Sequence, residues 1–298
     1  MQTNNKTRRP RRHKRLVSRL GLINIVRKGT SYSHWSDPYH LLLTIPWPGF
    51  IALFFGLYLI ANAMFALVYM AGGDCINHAH PGSFPDLFFF SVQTMASIGY
   101  GDMYPRTFYA NGVVTIEAII GLLGVAMSTG LAFARFSMPT AKVLFSQVAV
   151  IAPFNGLPTL MFRTANERNN LVLEAQIQVT LVRNEVTLEG QSMRREYDLN
   201  LVRNQTAIFA LAWMVMHPID EHSPLYGLTA EDLAEIEAEI VVTLTGLDET
   251  VAQTIHSRHS FVTQEILWNM WFVDILSKTS EGTRAIDYTR FHDVVPVT

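Results

Sequence analysis

Two long uncharged stretches dominate the first half of the chain. Residues 45–70 contain no charged side chain over 26 positions, and residues 109–133 contain only Glu117 before Arg135 ends the run. At a rise of about 1.5 Å per residue, each stretch forms a helix of roughly 38 Å, which crosses a hydrocarbon core of about 30 Å with some tilt. The pattern predicts two membrane spans, 45–70 and 109–136. A cleavable signal peptide is the rival interpretation of the first stretch, whose apolar region exceeds the usual length of about 7–15 residues.

A third apolar run, 84–96, lies between the two spans and is too short to cross a bilayer. It begins with features of a helix start: Ser83 in the capping position, Pro85 in the first turn and Asp86 near the positive end of the helix dipole. These features predict a re-entrant half-helix, which is stable only where protein or water covers its end. Upstream of the first span, Asp37 and Pro38 favour a short interfacial helix over 35–44.

Beyond residue 150 the hydrophobic period changes to two, which is typical of half-buried strands. The apolar members of these alternating runs are Leu173, Ala175, Ile177, Val179 and Leu181, then Tyr197, Leu199 and Leu201, then Ile240, Val242 and Leu244. Several short strands separated by turns predict an all-β sandwich. One helix interrupts it, starting at Thr229 with Asp232 in capping-box spacing.

These patterns divide the chain into five segments. They are a basic N-terminal arm (1–34), an interfacial helix (35–44), a membrane domain (45–137), a linker (138–150) and a sandwich domain (151–298). Within the membrane domain, the half-helix 84–96 is followed by the short glycine-containing segment 97–101.

Composition indicates a membrane protein, and the distribution of charge indicates how its spans are oriented. The chain is 49% hydrophobic and 16% charged, against about 25% charged residues in ordinary soluble domains. The net charge of -2 conceals an asymmetry, because residues 1–28 hold 10 basic and no acidic residues. Only Arg106 is basic in the loop between the spans, which predicts that both termini are cytoplasmic. The single cysteine, Cys75, excludes an intrachain disulfide framework.

The basic arm has two interpretations. Beside a membrane span, its arginines and lysines suit anionic phospholipid better than nucleic acid. The alternative is a topogenic tail whose charge only sets the orientation of the first span.

The segment Ser97-Ile98-Gly99-Tyr100-Gly101 carries the candidate chemistry. A potassium ion exchanges its water shell for closely spaced oxygens, which an extended backbone with inward carbonyls supplies. Successive carbonyls face one way only if some residues adopt positive φ, which glycine tolerates. One chain supplies one wall, so closing the ring requires a homotetramer. In isolation the string is also compatible with a simple glycine turn; its position behind a half-helix and between two spans favours an ion filter.

With these segments the sequence resembles the bacterial inward-rectifier potassium channel family, from about residue 35 to residue 291. The resemblance rests on the filter string, on Ala134-Arg135-Phe136 at the end of the second span, and on the strings MHPIDEHSPLYG at 216–227 and EILW at 265–268. Ser97 departs from the threonine usual in the family but keeps the hydroxyl group. The resemblance implies an immunoglobulin-like sandwich and K⁺ as the permeant ion, with no cofactor.

The second span has a polar and small-residue stripe at intervals of four: Glu117, Gly121, Val125 and Thr129. We expect this face to line the cavity below the filter, with helix packing as the alternative. The cost of a mid-membrane charge predicts that Glu117 faces the filter's rear or the cavity. The resemblance implies a hinge at Gly121, a constricting gate at Phe133, and weak cavity rectification because Val125 is not acidic.

Further partners follow from charge. Residues 137–298 hold 20 acidic and 11 basic residues, which predicts a cation-attracting vestibule in a tetramer. The resemblance points to Glu189 and Glu249 as pore-facing members, against the alternative of an ordinary solvated surface. Ba²⁺, Mg²⁺ and polyamines are candidate blockers. Arg135 and Lys142 are candidate contacts for anionic lipids because they follow the second span closely.

No enzyme is predicted. Nucleotide-binding and hydrolase motifs are missing from the sequence, and its histidines lack the neighbouring ligands that zinc requires. Two other classes remain to be separated from a channel: a membrane-tethered receptor and a membrane-bound enzyme. Neither explains the filter string.

Overall fold

The computed structural model describes residues 37–168, 170–278 and 284–297, and the chain divides into two compact units after Met138. We call residues 37–138 the membrane unit and residues 139–297 the β unit. The basic arm 1–34 lies outside the described residues.

The membrane unit is helical, as its hydrophobic pattern predicts. Its elements are α1 (Pro38–Thr44), α2 (Trp47–Ala71), β1 (Ile76–Asn77), α3 (Phe84–Met95), β2 (Tyr104–Pro105) and α4 (Phe108–Phe136). Helices α2 and α4 have mean hydropathies of 2.3 and 1.8 and are long and apolar enough to cross a membrane. Their ends differ by at most two residues from the predicted spans.

Side-chain caps define where three of these helices start. Asp37 Oδ1 accepts a hydrogen bond from the His40 amide at 3.0 Å at the start of α1. Ser83 Oγ accepts from the Asp86 amide at 3.4 Å at the start of α3, and Thr107 Oγ1 accepts from the Ala110 amide at 3.1 Å at the start of α4. Each cap satisfies an amide that has no partner within its helix. The short helix α3 packs between α2 and α4 through buried apolar side chains that include Ala66, Leu87 and Phe90.

The β unit is a two-sheet sandwich. Its strands are β3 (Val143–Phe145), β4 (Ala149–Phe154), β5 (Leu157–Asn166), β6 (Val172–Val186), β7 (Ser192–Asp198), β8 (Gln205–Phe209), β9 (Ala212–Pro218), β10 (Glu239–Asp248), β11 (Gln253–Val262), β12 (Ile266–Trp268), β13 (Met270–Phe272), β14 (Leu276–Lys278), β15 (Arg284–Ile286) and β16 (Val294–Pro296). Helix α5 (Ala230–Glu235) interrupts them, with the capping box of Thr229 and Asp232 that the sequence predicts.

One sheet has the strand order β11-β10-β6-β7, with β8 also paired to β6; the other has the order β12-β4-β5-β3, with β9 also paired to β5. The pairs are antiparallel except β12 with β4. Both sheets contribute to one apolar core, in which Ile240, Val242 and Leu244 are fully buried. Burying such side chains contributes about 1.5–3 kcal/mol each. Two sheets that share one core form the sandwich that the period-two pattern predicts.

Three details differ from the sequence analysis. The expected linker 138–150 contains β3 and the start of β4, so the sandwich begins at Val143. Val172 is buried where Leu173 was expected, because Glu174 has a φ of 49° and the β6–β10 register shifts at this point. A bulge of this kind reverses which side chains face the core. The alternation through Leu199 continues beyond β7, which ends at Asp198.

Candidate functional site

The filter segment has an alternating backbone. Ser97, Gly99 and Gly101 have φ values of 56°, 58° and 88°, whereas Ile98 and Tyr100 between them do not have positive φ. An extended chain of ordinary residues turns successive carbonyls to opposite sides, and a left-handed residue at every second position changes that pattern. Glycine adopts this conformation at little cost, whereas Ser97 adopts it with a Cβ present. The backbone of this segment therefore differs from that of an ordinary strand, at the place where the sequence predicts the filter.

Both ends of the filter segment are anchored within the membrane unit. At its inner end, the Ser97 and Ile98 amides donate to Thr94 O at 3.0 Å and Gln93 O at 2.8 Å, in the last turn of α3. After its outer end, β2 pairs with β1, which places Tyr104 opposite Asn77. Because α3 ends directly at the filter, its partially negative C-terminus is directed toward the same region and favours a cation there.

A buried polar cluster joins α2, α3 and α4 behind the filter. Glu117 is fully buried and accepts a 2.5 Å hydrogen bond from the Tyr69 hydroxyl. Ser91 lies within hydrogen-bond distance of Glu117 and, at 2.9 Å, of Asn62 Oδ1. We call Asn62, Tyr69, Ser91 and Glu117 the polar cluster. Of the two positions expected for Glu117, behind the filter or in the cavity, the structure shows the first, because its side chain is buried against α2 and α3.

Gly121 is also buried against α3. A Cβ at this position would lie 2.5 Å from the main-chain oxygen of Met95, so only glycine permits the observed approach. At Glu117 and Gly121 the structure therefore shows the alternative, helix packing, instead of cavity lining. The reason is helical geometry, since four residues advance about 400°, and a four-residue stripe drifts by about 40° at each step.

The lower part of that stripe faces outward in the single chain. Val125 is 61% exposed, Thr129 is also exposed, and Phe133, one turn further on, is 72% exposed. These side chains are therefore available to line a space or to meet another subunit.

Arg135 ends α4 and contacts the end of α1. Its Nη1 donates to Leu42 O at 2.7 Å and its Nη2 donates to Ile45 O. The guanidinium group lies 4.7 Å from the ring centre of Trp47 and 4.6 Å from that of Phe50. The charge of Arg135 thus has protein partners at the carbonyl end of α1 and at two aromatic rings, and its contact with anionic lipid stays a prediction.

Lys142 is exposed in a cleft of about 590 Å³ in the β unit. The cleft also contains Arg168, which is paired with Asp248 at 3.2 Å and donates to Thr140 Oγ1 at 2.7 Å. Burial raises the pKa of the Asp248 carboxyl, but hydrogen bonds from Asn170, from backbone amides and from Arg168 outweigh it and leave the pKa below its usual value. Sequence reasoning missed Arg168, which lies far from Lys142 along the chain.

Glu189 and Glu249 are exposed at opposite ends of β6. Glu189 lies in the turn after Val186, and Glu249 follows Asp248, which pairs with Val172. The 15 residues of β6 separate these ends by roughly 45 Å at about 3.3 Å per residue. A hydrogen bond from Thr187 lowers the pKa of the Glu189 carboxyl. The two carboxylates cannot act as one cluster within a chain.

Two of the histidines, His217 and His256, lie beside hydrogen-bonding partners within the β unit. His217 is buried, with Nδ1 2.7 Å from Asn200 O and Nε2 2.7 Å from Ser223 Oγ. Burial lowers the pKa of its imidazole. His256 Nδ1 lies 3.2 Å from the Thr245 hydroxyl. In the described part of the chain, no three His, Cys, Asp or Glu side chains lie close enough to hold a metal ion.

Two apolar spans, a pore helix between them and an alternating filter segment together define a membrane channel of the two-span class. Two family models match the chain: "Ion channel" over residues 51–137 and "Inward rectifier potassium channel C-terminal domain" over residues 143–298.

Three relatives illustrate the similarity. The chain is 49% identical to the inward rectifier potassium channel Kirbac3.1 of Paramagnetospirillum magnetotacticum, over 96% of this chain and 97% of that protein. It is 30% identical to the human G protein-activated inward rectifier potassium channel 1, covering 95% of this chain but only 61% of the relative. It is 27% identical to the human ATP-sensitive inward rectifier potassium channel 8, covering 95% of this chain and 74% of the relative. The chain belongs to the inward rectifier potassium channel family.

Proposed function

We propose that four copies of this chain form a passive, K⁺-selective channel with no catalytic step. The observation that carries the proposal is the filter backbone, in which left-handed residues at 97, 99 and 101 alternate with Ile98 and Tyr100 directly after the pore helix. Four such segments around an axis replace the water shell of a desolvated K⁺ ion with main-chain oxygens of Ser97, Ile98, Gly99 and Tyr100.

Surface exposure in the single chain supports assembly. Tyr100 is 76% exposed and Ile98 is 47% exposed, although both are large side chains within the filter segment. Large apolar patches of this kind mark contact surfaces. A closed four-fold ring gives each subunit the same neighbours and leaves no unmatched surface.

The gate belongs to α4 in this proposal. Phe133 of four subunits narrows the cytoplasmic mouth, and a ring of bulky apolar side chains stops ions by excluding water. Val125 faces the cavity without a charge, so Mg²⁺ and polyamines are held weakly there. Ba²⁺ enters the filter and blocks it.

The remaining parts act from the cytoplasmic side of a bacterial inner membrane. Both termini are cytoplasmic, and movement of the β unit opens the inner mouth. Anionic phospholipids bind Lys142, whose exposed side chain is available for a phosphate group. Glu189 and Glu249 face the cytoplasmic pore and attract cations.

Rubidium uptake into proteoliposomes tests conduction. We expect uptake by the wild-type chain that Ba²⁺ blocks, and no uptake by Gly99→Ala. The control is Gly82→Ala, because Gly82 also has a positive φ of 75° and open space around its Cβ position, but lies outside the filter. If backbone strain alone abolishes uptake, both variants lose it. If Gly99 belongs to the filter, only Gly99→Ala loses uptake.

Both variants are to be checked for assembly by size-exclusion chromatography. Equal uptake by Gly99→Ala and the wild type, or uptake that Ba²⁺ does not reduce, contradicts the proposal. A wild-type protein that runs as a monomer contradicts it as well.

A further inference from the structure

The carboxyl group of Glu117 is buried and is not paired with a cationic side chain in the described part of the chain. Among the described residues, its hydrogen-bond partners are the hydroxyl groups of Tyr69 and Ser91, and its side chain is completely inaccessible. Two neutral hydroxyl groups do not offset the loss of hydration of a negative charge, which costs far more than burial of a neutral polar group. The protonation state of this carboxyl group therefore has to be worked out from its hydrogen bonds.

The Asn62 side chain is oriented unambiguously. Its Nδ2 donates to Tyr58 O at 2.7 Å and faces Met95 Sδ at 3.5 Å, both of which are acceptors. A flipped amide would place two oxygens against each other at 2.7 Å. Its Oδ1 therefore points to Ser91 Oγ at 2.9 Å, where it requires a donor.

Proton counting then fixes the direction of the next hydrogen bond. The Ser91 hydroxyl has one hydrogen, and Asn62 Oδ1 accepts it. The hydrogen between Ser91 Oγ and Glu117 Oε1 must consequently come from Glu117. Tyr69 donates to the other carboxyl oxygen, Oε2. The donors and acceptors of the cluster balance when Glu117 is a neutral carboxylic acid.

This acid is connected to the filter through α3. Ser91 lies one turn before Met95, whose main-chain oxygen contacts Gly121, one turn after Glu117. The last turn of α3 in turn accepts the amide hydrogens of Ser97 and Ile98. The position of α3 against α4 thus sets where the filter begins.

We propose that Glu117 is a proton-bearing positioning residue, whose neutral carboxyl group donates to Ser91 and holds the pore helix in the place that K⁺ selectivity requires. Its effect on selectivity rests on the proposed channel function, whereas its protonation does not. The polar cluster then carries no net charge and links α2, α3 and α4, because Glu117 donates a hydrogen bond to Ser91 and Ser91 donates one to Asn62.

Infrared spectroscopy of the full-length protein at neutral pH tests the protonation. The difference spectrum of wild type minus Glu117→Gln should contain the carbonyl-stretch band of a buried carboxylic acid. A difference spectrum that contains only carboxylate bands overturns the proposal. This readout does not depend on ion flux.

Selectivity tests the positioning role. Glu117→Gln keeps one donor for Ser91 and one acceptor for Tyr69, and we expect its ratio of K⁺ to Na⁺ permeability to stay within about twofold of wild type. Glu117→Leu loses both bonds, and we expect the ratio to fall about tenfold, the equivalent of one net hydrogen bond. Ser91→Ala provides a second, smaller perturbation and should lower the ratio in the same direction.

Thr115→Val is the matched control on the same helix, because Thr115 hydrogen-bonds only to Asn111 O within α4. It should leave the ratio unchanged. The positioning role is overturned if the ratio of K⁺ to Na⁺ permeability falls as far in Glu117→Gln as in Glu117→Leu. It is also overturned if Ser91→Ala leaves the ratio unchanged, as Thr115→Val should. A wild-type protein without Ba²⁺-sensitive uptake instead overturns the proposed function, and the infrared result still decides the protonation of Glu117.

Discussion

The guanidinium group of Arg135, at the end of α4, donates a 2.7 Å hydrogen bond to the main-chain oxygen of Leu42, near the end of α1. The C-terminal carbonyl groups of α1 have no partners within that helix, and a cation is the favourable group to satisfy them. The interfacial helix and the second span are therefore joined by one side chain. Movement of α1 requires this contact to move with it or to break.

Arg135→Lys should loosen α1. Lysine cannot donate to two carbonyls in a fixed fork or stack between Trp47 and Phe50. We expect hydrogen exchange of the α1 amides, residues 39–44, to become about tenfold faster, which corresponds to about 1.4 kcal/mol. Arg106→Lys is the control, since Arg106 is paired with Asp74 at 3.0 Å in the loop between the spans. Unchanged exchange in Arg135→Lys would contradict the joining role.

Gly121→Ala should disturb the contact between α4 and α3. The added Cβ would lie 2.5 Å from Met95 O, so the helices must separate, at a cost of about 1–3 kcal/mol. We expect a lower Tm and lower K⁺ selectivity. Gly124→Ala is the control, because its Cβ would meet no atom of the described residues within 4 Å. A normal Tm and selectivity with altered opening alone would favour a hinge at Gly121 over a packing role.

The β unit should become less stable in mild acid through His217. Burial lowers the pKa of the folded imidazole, so below about pH 6.5 the unfolded chain binds more protons than the folded one. The contribution of the neutral, buried His217 to the free energy of unfolding is therefore fully present above the pKa of the unfolded imidazole. It decreases as the pH falls below that value. Thermal unfolding of the full chain, followed by tryptophan fluorescence, measures the effect.

His217→Gln removes the titrating group and should flatten the dependence of Tm on pH between about pH 7.5 and about pH 5.5. The exposed His222 is the site of the matched control, His222→Gln, which should keep the wild-type slope. Equal slopes in all three proteins would show that His217 does not control the acid sensitivity.

Charge reversal at Glu189 and Glu249 should weaken block by cytoplasmic spermine in an additive way. The two residues lie at opposite ends of β6, and sites this distant change free energies independently to within about 0.5 kcal/mol. The free-energy change for Glu189→Lys with Glu249→Lys should equal the sum of the single changes. Block that is unchanged in both single variants would remove these residues from the cytoplasmic pore.

The elements of the membrane unit could be predicted closely because length, charge and capping residues are local signals. Uncharged runs indicated α2 and α4, and Ser83 with Pro85 marked the start of α3. The candidate filter could be located for the same reason, since its glycines and their position between the spans are visible in the sequence.

Partners that lie far apart along the chain could not be predicted. The pattern did not show that Glu117 meets Ser91 and Tyr69, because this requires the packing of three helices. One signal was present: Asn62 is a polar residue in an otherwise apolar span, where such residues usually have a partner. The role of Arg135 likewise depends on the contact between α4 and the end of α1. The bulge at Glu174 depends on a positive backbone φ, which cannot be read from the sequence.

The location of the permeant ion tests the central claim most directly. A structure of the full-length protein determined in rubidium, with the anomalous signal of the ion recorded, should show four subunits around an axis. Rubidium should lie on that axis between main-chain oxygens of Ser97, Ile98, Gly99 and Tyr100. A monomer, or an axis remote from Tyr100 with no ion beside these oxygens, would contradict the account.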